Sequence, residues 1–490
     1  MRAPELLVLA LDIGSSSTRA AVFNERVRLI PGTEARREYS LRYTADGGAE
    51  VSPFRLRRAV QTCLGESLRR SPARAPIVAV GASAFWHGLL GVDAKGRPLT
   101  PVFTWADSRA TPDAAQLRRE FDERKIHAQT GCMLRASSWP AKLRWLRRTH
   151  RQLFRSVHRW VSPADWIFAE LFGAAGTSVS MASATGLYDQ RCRGWHGKLC
   201  EACGIAPGKL AGLSESTTGA AAGFSRLRHA EIFAAIGDGA AGNIGCDATE
   251  AGRFAINVGT SAAVRTLDPG RRRVPFGLFR YAVDGRRTVV GGAVSNAGNL
   301  HRWCLRELRL SERESTSLQR PLAANNSLIV LPFWVGERAP TWPENLPGAI
   351  LGLSQSTDAA AIHRATTCAT FYRLAEILEM LEEKRGRAKQ IIVSGGIVHS
   401  KPSLPVLADA LGRDIAVSAQ PEASLRGAAI YALEKLGYDS APLPKPKTIR
   451  HDRALADKHR VRRERQIALE KRLSSGDAAQ WRLTNSAESI

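Results

Sequence analysis

Residues 7–23 read LVLALDIGSSSTRAAVF, and residues 253–265 read RFAINVGTSAAVR. Each stretch has an apolar run, a glycine followed by hydroxyl residues, a segment of small residues and an arginine. This order predicts a strand, a tight turn and a second strand in both places. Because the same hairpin is written twice in one chain, the sequence predicts two related domains.

The segments between and after the hairpins alternate between strand-like and helical patterns, as expected for α/β layers. Strands are predicted at 77–81, 390–396 and 414–417, and helices at 142–153, 405–411 and 424–433. A chain of 490 residues is too long for one core. We therefore predict an N-terminal domain at 1–248, a C-terminal domain at 249–439, and a basic linker and tail at 440–490.

The tail has its own pattern. Three prolines at 442, 444 and 446 predict an extended linker, and the charged stretch 452–473 predicts a solvated helix. A basic arm for an acidic partner is the alternative interpretation.

Composition limits the classes of protein. With 44% apolar and 24% charged residues the chain is globular. The formal net charge of +24 favours anionic ligands, but the basic residues form many short groups without interleaved aromatic residues, so no specific nucleic-acid site is expected. No stretch approaches the roughly 20 apolar residues that cross a bilayer. We expect no membrane association and a cytoplasmic location.

Eight scattered cysteines fit reduced thiols better than a disulfide framework. Cys192, His196, Cys200 and Cys203 have spacings that a zinc site could use. Only one CxxC pair is present, so a helix carrying small buried thiols is the favoured interpretation.

Phosphoryl transfer needs the phosphates held, a metal ion placed and the acceptor hydroxyl relieved of its proton. The turns Gly14–Thr18 and Gly259–Ser261 offer backbone amides and short hydroxyl side chains, which suit opposite ends of a triphosphate. Asp12 ends a buried strand before the first turn and is a candidate for Mg²⁺, with a turn-capping role as the alternative. Asp238, within the small-residue stretch 235–245, is a candidate base, with a structural turn residue as its alternative.

Several of these segments resemble motifs of the FGGY family of carbohydrate kinases, and the resemblance runs from about residue 6 to residue 437. They are LDIGSSSTR at 11–19, NVGTS at 257–261, SGG at 394–396, ADALG at 408–412 and EASLRGAA at 422–429. The resemblance implies two actin-like domains of the actin/hexokinase/heat-shock ATPase type, also called ribonuclease H-like, with ATP in a central cleft. The chain departs from the family pattern at Pro347, Cys368–Ala369 and Pro405.

The resemblance also implies roles for single residues. Asp238 would be the catalytic base and Asp12 the carboxylate linked to Mg²⁺. Nucleotide contacts would come from both phosphate motifs and from the adenosine motif, namely from Gly14, Ser15, Ser16, Arg19, Gly259, Thr260, Ser261, Gly395 and Gly396.

The resemblance further implies that the substrate is a sugar or sugar acid. In the segment 81–90, Trp86 is a candidate to stack on a carbon chain and His87 to bind a hydroxyl, with a core role as the alternative for the histidine. The run 98–109, which contains Asp107, resembles the gluconokinase branch, so we expect gluconate as substrate, Asp107 as a substrate contact and Arg135 as the partner of the carboxylate. The alternatives are a kinase for xylulose or another pentulose or polyol, and a catalytically silent sugar-responsive binding or scaffold protein. A homodimer is possible.

Overall fold

The computed structural model describes residues 6–217, 223–268, 273–310, 328–344, 346–420, 422–439, 443 and 446–475. The strands, in chain order, are β1 (Leu7–Ile13), β2 (Ser17–Asn24), β3 (Ala35–Glu38), β4 (Arg42–Tyr43), β5 (Ala49–Val51), β6 (Ile77–Ala84), β7 (Leu90–Val92), β8 (Val102–Phe103), β9 (Arg159–Val161), β10 (Tyr188–Asp189), β11 (Gly194–Trp195), β12 (Ser216–Thr217), β13 (Glu231–Phe233), β14 (Ile236–Gly237), β15 (Arg253–Val258), β16 (Ala262–Asp268), β17 (Phe279–Ala282), β18 (Thr288–Val294), β19 (Ile329–Leu331), β20 (Ala349–Leu351), β21 (Gln390–Ser394), β22 (Ile415–Val417) and β23 (Lys447–Ile449).

The helices are α1 (Pro53–Arg70), α2 (Thr111–Glu120), α3 (Glu123–Thr130), α4 (Trp139–Thr149), α5 (Arg151–Ser156), α6 (Pro163–Phe172), α7 (Val179–Ser183), α8 (Gly197–Cys203), α9 (Asp238–Gly245), α10 (Gly298–Glu307), α11 (Ala359–Arg385), α12 (Ser403–Leu411), α13 (Ala423–Lys435) and α14 (Arg453–Ser475). The predicted α/β alternation is confirmed, although the single helix expected at 142–153 is two helices, α4 and α5.

The chain divides into two compact units. The first comprises Met1–Ala255, Arg265–Gly291 and Gln420–Lys445, and the second comprises Ile256–Val264, Gly292–Ala419 and Pro446–Ile490. These units interleave along the chain because β15, β16 and β18 contain residues of both and because α13 belongs to the first. The division at residues 248 and 249, drawn from sequence order, stays a prediction.

Two seven-stranded sheets carry the fold. The first has the order β12-β13-β6-β1-β2-β3, with β14 also paired to β6, and the second has the order β17-β18-β16-β15-β21-β22-β23. Each sheet contains one of the two repeated hairpins as a pair of neighbouring strands, β1 with β2 and β15 with β16. The repeated hairpin predicted from the sequence is therefore confirmed.

The centre of the first sheet aligns the ends of three strands. β1 runs parallel to β6 and pairs Asp12 with Ser83 and Ile13 with Ala84. β14 also runs parallel to β6 and pairs Gly237 with Ala84. The three strands therefore end in one row, Ile13–Ala84–Gly237, which we call the strand-end row.

Glycines let α9 and α13 touch backbone to backbone in the first unit. A Cβ at Gly245 would lie 1.7 Å from the carbonyl oxygen of Ala423, and one at Gly427 would lie 1.8 Å from the carbonyl oxygen of Ala241. Arg426 adds a hydrogen bond from Nη1 to the Gly245 carbonyl at 2.9 Å. Such distances exclude any side chain, which explains the small residues of α13 and fixes the position of α9.

The C-terminal helix α14 corrects one expectation. The stretch is helical as predicted, but it is not solvated on all sides, because His459, Arg463, Gln466 and Glu470 are buried. Glu470 forms an ion pair at 2.7 Å with Arg373 of α11, a residue that is 0% exposed. These residues recur at helical spacing but are polar, so the face that α14 buries carries no apolar pattern that sequence reasoning could detect.

This buried pair predicts a large stability effect. Glu470→Gln leaves the Arg373 guanidinium without its nearest charge partner, so we expect the unfolding free energy to fall by about 3 kcal/mol or more. The control is Glu464→Gln on the same helix, where an exposed pair with Arg460 at 2.9 Å is lost and a change within about 1 kcal/mol is expected. Urea unfolding measures both, and equal losses in the two variants would contradict the prediction.

Candidate active site

The strand-end row brings most of the predicted residues of the first unit to one edge of its central sheet. Directly after the row come Gly14 of the first turn, the segment Phe85–His87, and Asp238 at the start of α9. In parallel α/β sheets, ligands bind outside the carboxyl ends of the strands. The sheet therefore gathers Asp12, the hydroxyl turn, Trp86, His87 and Asp238 where such a site is expected.

Asp12 is a buried carboxylate with one firmly bonded oxygen. Ser83 Oγ donates to Asp12 Oδ1 at 2.6 Å, and Arg19 Nη1 lies 3.8 Å from Oδ2, beyond hydrogen-bonding distance. Burial raises the pKa of Asp12, while the Ser83 hydrogen bond and the charge of Arg19 oppose this shift. A carboxylate in such a place gains from a cation or from water at its second oxygen.

The first turn is closed by a hydrogen bond from the Gly14 amide to the Ser17 carbonyl at 3.0 Å. Ser15 is half-buried and Ser16 is exposed, so both hydroxyl groups can reach a ligand. Arg19, predicted to contact the nucleotide, forms an ion pair with Glu422, which precedes α13. Its guanidinium is therefore anchored by two carboxylates of the first unit, Asp12 at longer range and Glu422 in contact.

Asp238 is the first residue of α9, where the helix dipole favours a negative charge. The Gly239 amide donates to Asp238 Oδ1 at 2.7 Å, and Ser424 Oγ donates to the Asp238 carbonyl at 3.3 Å. On its flank lies Trp86, since a Cβ at Gly237 would lie 1.7 Å from the indole Cε2. The glycines around Asp238 are therefore required by the tryptophan that packs against them.

Trp86 and His87 both pack against the ring of Tyr281 in β17. The Trp86 and Tyr281 ring centroids are 4.9 Å apart, and Trp86 Nε1 donates to the Ser180 carbonyl at 3.2 Å. His87 Nε2 lies 3.4 Å from Tyr281 Oη, and the histidine backbone has a φ of 66°, a left-handed conformation that is uncommon outside glycine. Tyr281 was not predicted from the sequence, because it follows His87 by almost two hundred residues.

A buried lysine ties the two predicted substrate segments together. Lys142 Nζ donates to the His87 carbonyl at 2.9 Å and to the Thr104 carbonyl at 2.7 Å, and the residue is 1% exposed. Burial lowers the pKa of this ammonium to about 7, and the nearby charge of Asp107 opposes the shift. Sequence reasoning missed Lys142 because it lies within an amphipathic helix, α4, where a lysine is usually solvated.

Asp107 and Arg135 are each held by protein partners. Asp107 accepts from Arg109 Nη2 at 2.6 Å and from the Ala49 amide at 3.2 Å. Arg135 Nη1 contacts Glu123 Oε1 at 2.5 Å, which neutralises the charge that was assigned to the substrate carboxylate. Both roles stay predictions, and neither is supported by this bonding.

The second unit groups the remaining predicted nucleotide residues. The Gly259 amide donates to the Ser261 carbonyl at 2.9 Å, closing a turn like that at Gly14. Gly395 has a φ of 88°, and a Cβ there would lie 2.6 Å from the Val258 carbonyl oxygen, so the Gly395–Gly396 turn lies beside the end of β15. Arg302 of α10, which the sequence did not indicate, donates to Thr260 Oγ1 at 3.3 Å.

The cysteine cluster takes the structural form that was favoured. Cys200 and Cys203 are buried in α8, whose first turn is capped by His196 Nδ1 accepting from the Leu199 amide at 3.3 Å. Cys203 donates to the Pro140 carbonyl, and Cys192 is exposed. Within the described ranges no group of three or more potential metal ligands was found.

The chain is similar to known proteins over most of its length. Residues 7–245 match the N-terminal domain and residues 254–434 the C-terminal domain of the FGGY family of carbohydrate kinases. Gluconokinase of Bacillus subtilis (strain 168) is 27% identical over 460 residues, covering 88% of each chain. Gluconate kinase from Lactobacillus acidophilus has a TM-score of 0.86 at 21% identity, covering 97% of this chain and all of that one. Xylulose kinase from the same organism gives 0.87 at 21% identity with the same coverage.

The fold is thus the actin-like ATPase fold, and the class is that of the ATP-dependent sugar kinases. The chain belongs to the FGGY family of carbohydrate kinases. The family, the fold and the kinase activity predicted from the sequence are confirmed. None of the helices in the described part of the chain has the length and apolar character needed to cross a membrane.

The buried lysine predicts a pH dependence of stability. Between pH 7 and 9 Lys142 loses its proton in the folded protein, whereas the unfolded chain keeps it, since the ordinary lysine pKa is 10.5. The stability of the wild type relative to Lys142→Met should therefore rise with pH, by up to about 1.4 kcal/mol per unit. Urea unfolding at pH 7, 8 and 9 measures this. The matched control is the exposed Lys125→Met, and the same slope in both comparisons would contradict the prediction.

Proposed function

We propose that this kinase transfers the terminal phosphoryl group of ATP to the C6 hydroxyl of gluconate, giving 6-phosphogluconate and ADP. The observation that carries the proposal is the strand-end row, which places a buried carboxylate, Asp12, and a second carboxylate, Asp238, at the same edge of one sheet. Two carboxylates at one edge can divide the work between cation binding and proton transfer.

Asp238 is the proposed base. As the C6 oxygen bonds to the terminal phosphorus, its proton passes to the Asp238 carboxylate, and the bond from phosphorus to the bridging oxygen of ATP breaks. The Gly239 amide fixes Oδ1, and the start of α9 favours the ionised carboxylate. The backbone amides and hydroxyls of the turns at Gly14 and Gly259 are proposed to hold the phosphates.

Asp12 is the proposed link to Mg²⁺. Oδ1 of its buried carboxylate accepts a hydrogen bond from Ser83, and Oδ2 lies beyond hydrogen-bonding distance of Arg19. This arrangement suits Mg²⁺, which binds one or two carboxylates together with water and phosphate oxygens. When bound, such an ion neutralises charge that develops on the phosphates. In this chain Ser83 orients the carboxylate and Arg19 balances its charge.

Gluconate is supported by the gluconokinase relative and by the resemblance at 98–109, whereas xylulose and glycerol kinases are also among the similar proteins. A xylulose or polyol kinase is the second candidate, because the xylulose kinase structure matches this fold equally well. His87 and Trp86 remain the proposed sugar contacts in either case.

A substrate panel tests the proposed function. ATP consumption is measured with gluconate, xylulose, ribulose and glycerol, and we expect gluconate to give the highest kcat/KM. A higher value for a pentulose or for glycerol would replace gluconate with that substrate.

Asp238→Asn tests the base with the preferred substrate. Removing the proton acceptor should lower kcat by about 10²- to 10⁴-fold while the KM for ATP changes little. The control is Asp113→Asn, a buried carboxylate of the same unit that pairs with Arg148 at 2.7 Å. Retention of more than a tenth of wild-type kcat in Asp238→Asn would refute the assignment.

A further inference from the structure

Arg265 of β16 is a half-buried cation without a protein acceptor at its Nε atom. Among the described residues, Nε is buried and has no hydrogen-bond partner, and no carboxylate lies within ion-pair distance of the guanidinium. An unsatisfied buried donor is costly, and a buried charge more so. Among the described residues, Arg265 therefore has no carboxylate in direct contact with its guanidinium.

The guanidinium borders the proposed base. A Cβ at Gly239 would lie 2.7 Å from Arg265 Nε and 2.6 Å from Trp86 Cζ3, so the arginine and the tryptophan flank the residue that follows Asp238. Burial lowers the pKa of Arg265, while the nearby charge of Asp238 opposes this shift. Arg265 therefore interacts electrostatically with Asp238.

Other cations around the substrate segments already have charged or carbonyl partners in the protein. Arg109 pairs with Asp107 at 2.6 Å and with Glu50 at 3.0 Å, while Lys142 donates to two carbonyl groups. Arg135 pairs with Glu123. Binding a substrate anion at any of them would mean sharing or breaking these bonds, whereas the Arg265 guanidinium has no ion pair among the described residues to break.

We propose that Arg265 binds the carboxylate of a sugar-acid substrate and so selects acids over neutral sugars. This inference rests on the proposed function, in which the reacting hydroxyl is at the other end of the same substrate. A guanidinium suits the role because its planar donors can bind both oxygens of a carboxylate. The position of Arg265 in the first unit, beside Asp238, Trp86 and Tyr281, places this selectivity with the groups proposed to hold the sugar.

Arg265→Met tests the proposal because it keeps an apolar side chain of similar length and removes the charge. We expect the KM for gluconate to rise about 10- to 100-fold, the loss expected for a hydrogen bond to a charged group, while the KM for ATP changes less than about twofold. Arg265→Lys should restore part of the affinity. Inhibition by glucitol, which has a CH₂OH group in place of the carboxylate, should be equal in the wild type and in Arg265→Met.

The matched control is Arg253→Met on β15. The Arg253 guanidinium pairs with Asp247 at 2.7 Å and with Glu250 at 3.2 Å, so this variant should leave the KM values for gluconate and ATP unchanged. If the wild type phosphorylates gluconate and Arg265→Met keeps its gluconate KM, the role of Arg265 is overturned and the proposed function stands. If the wild type phosphorylates only neutral sugars, the role of Arg265 and the proposed phosphorylation of gluconate are both overturned. Thermal melting of each variant shows whether it is folded, and so separates a lost contact from a lost fold. If Arg265→Lys and Arg265→Met are both folded and raise the gluconate KM equally, the carboxylate contact is overturned.

Discussion

The alignment of three parallel strands at Ile13, Ala84 and Gly237 is the constraint on which the first unit depends. Because β1 and β14 both run parallel to β6, the residues that follow these three strands lie at the same edge of the sheet. The first turn, the segment that contains His87 and the start of α9 are therefore neighbours, although they are far apart in sequence. The cost of burying Asp12 directly before this row is partly offset by Ser83 and, at longer range, by Arg19.

Close packing then sets the orientation of the groups at this edge. Gly245 and Gly427 let α9 and α13 meet without side chains, and Gly237 and Gly239 accept the indole of Trp86. A larger residue at any of these positions would push α9 away from the sheet and move Asp238 with it. The glycines of the small-residue stretch 235–245 are therefore requirements of dense packing around a rigid helix start.

The sequence was sufficient for the hairpins, the α/β alternation and the residues that follow the strands, because periodicity and turn chemistry are local signals. It was insufficient for Lys142, Tyr281 and Arg265, whose roles depend on which distant segments they meet. The buried face of α14 was missed for a different reason: Arg463, Gln466 and Glu470 pack through ion pairs and hydrogen bonds, which leave no apolar pattern. The assignment of Arg135 failed to find support because its partner, Glu123, is recognisable only in the folded chain.

The central claim is that the substrate lies with one end at Asp238 and its carboxylate end at Arg265. The most direct measurement is carbon-13 NMR of the product formed from uniformly labelled gluconate and ATP, because phosphorus splits the signal of the carbon that bears it. We expect the splitting at C6, the carbon whose hydroxyl faces Asp238. A phosphate at C6 also splits its neighbour C5 through three bonds, so phosphorus coupling at C1, C2, C3 or C4, or consumption of ATP without a phosphate ester of gluconate, would contradict this placement.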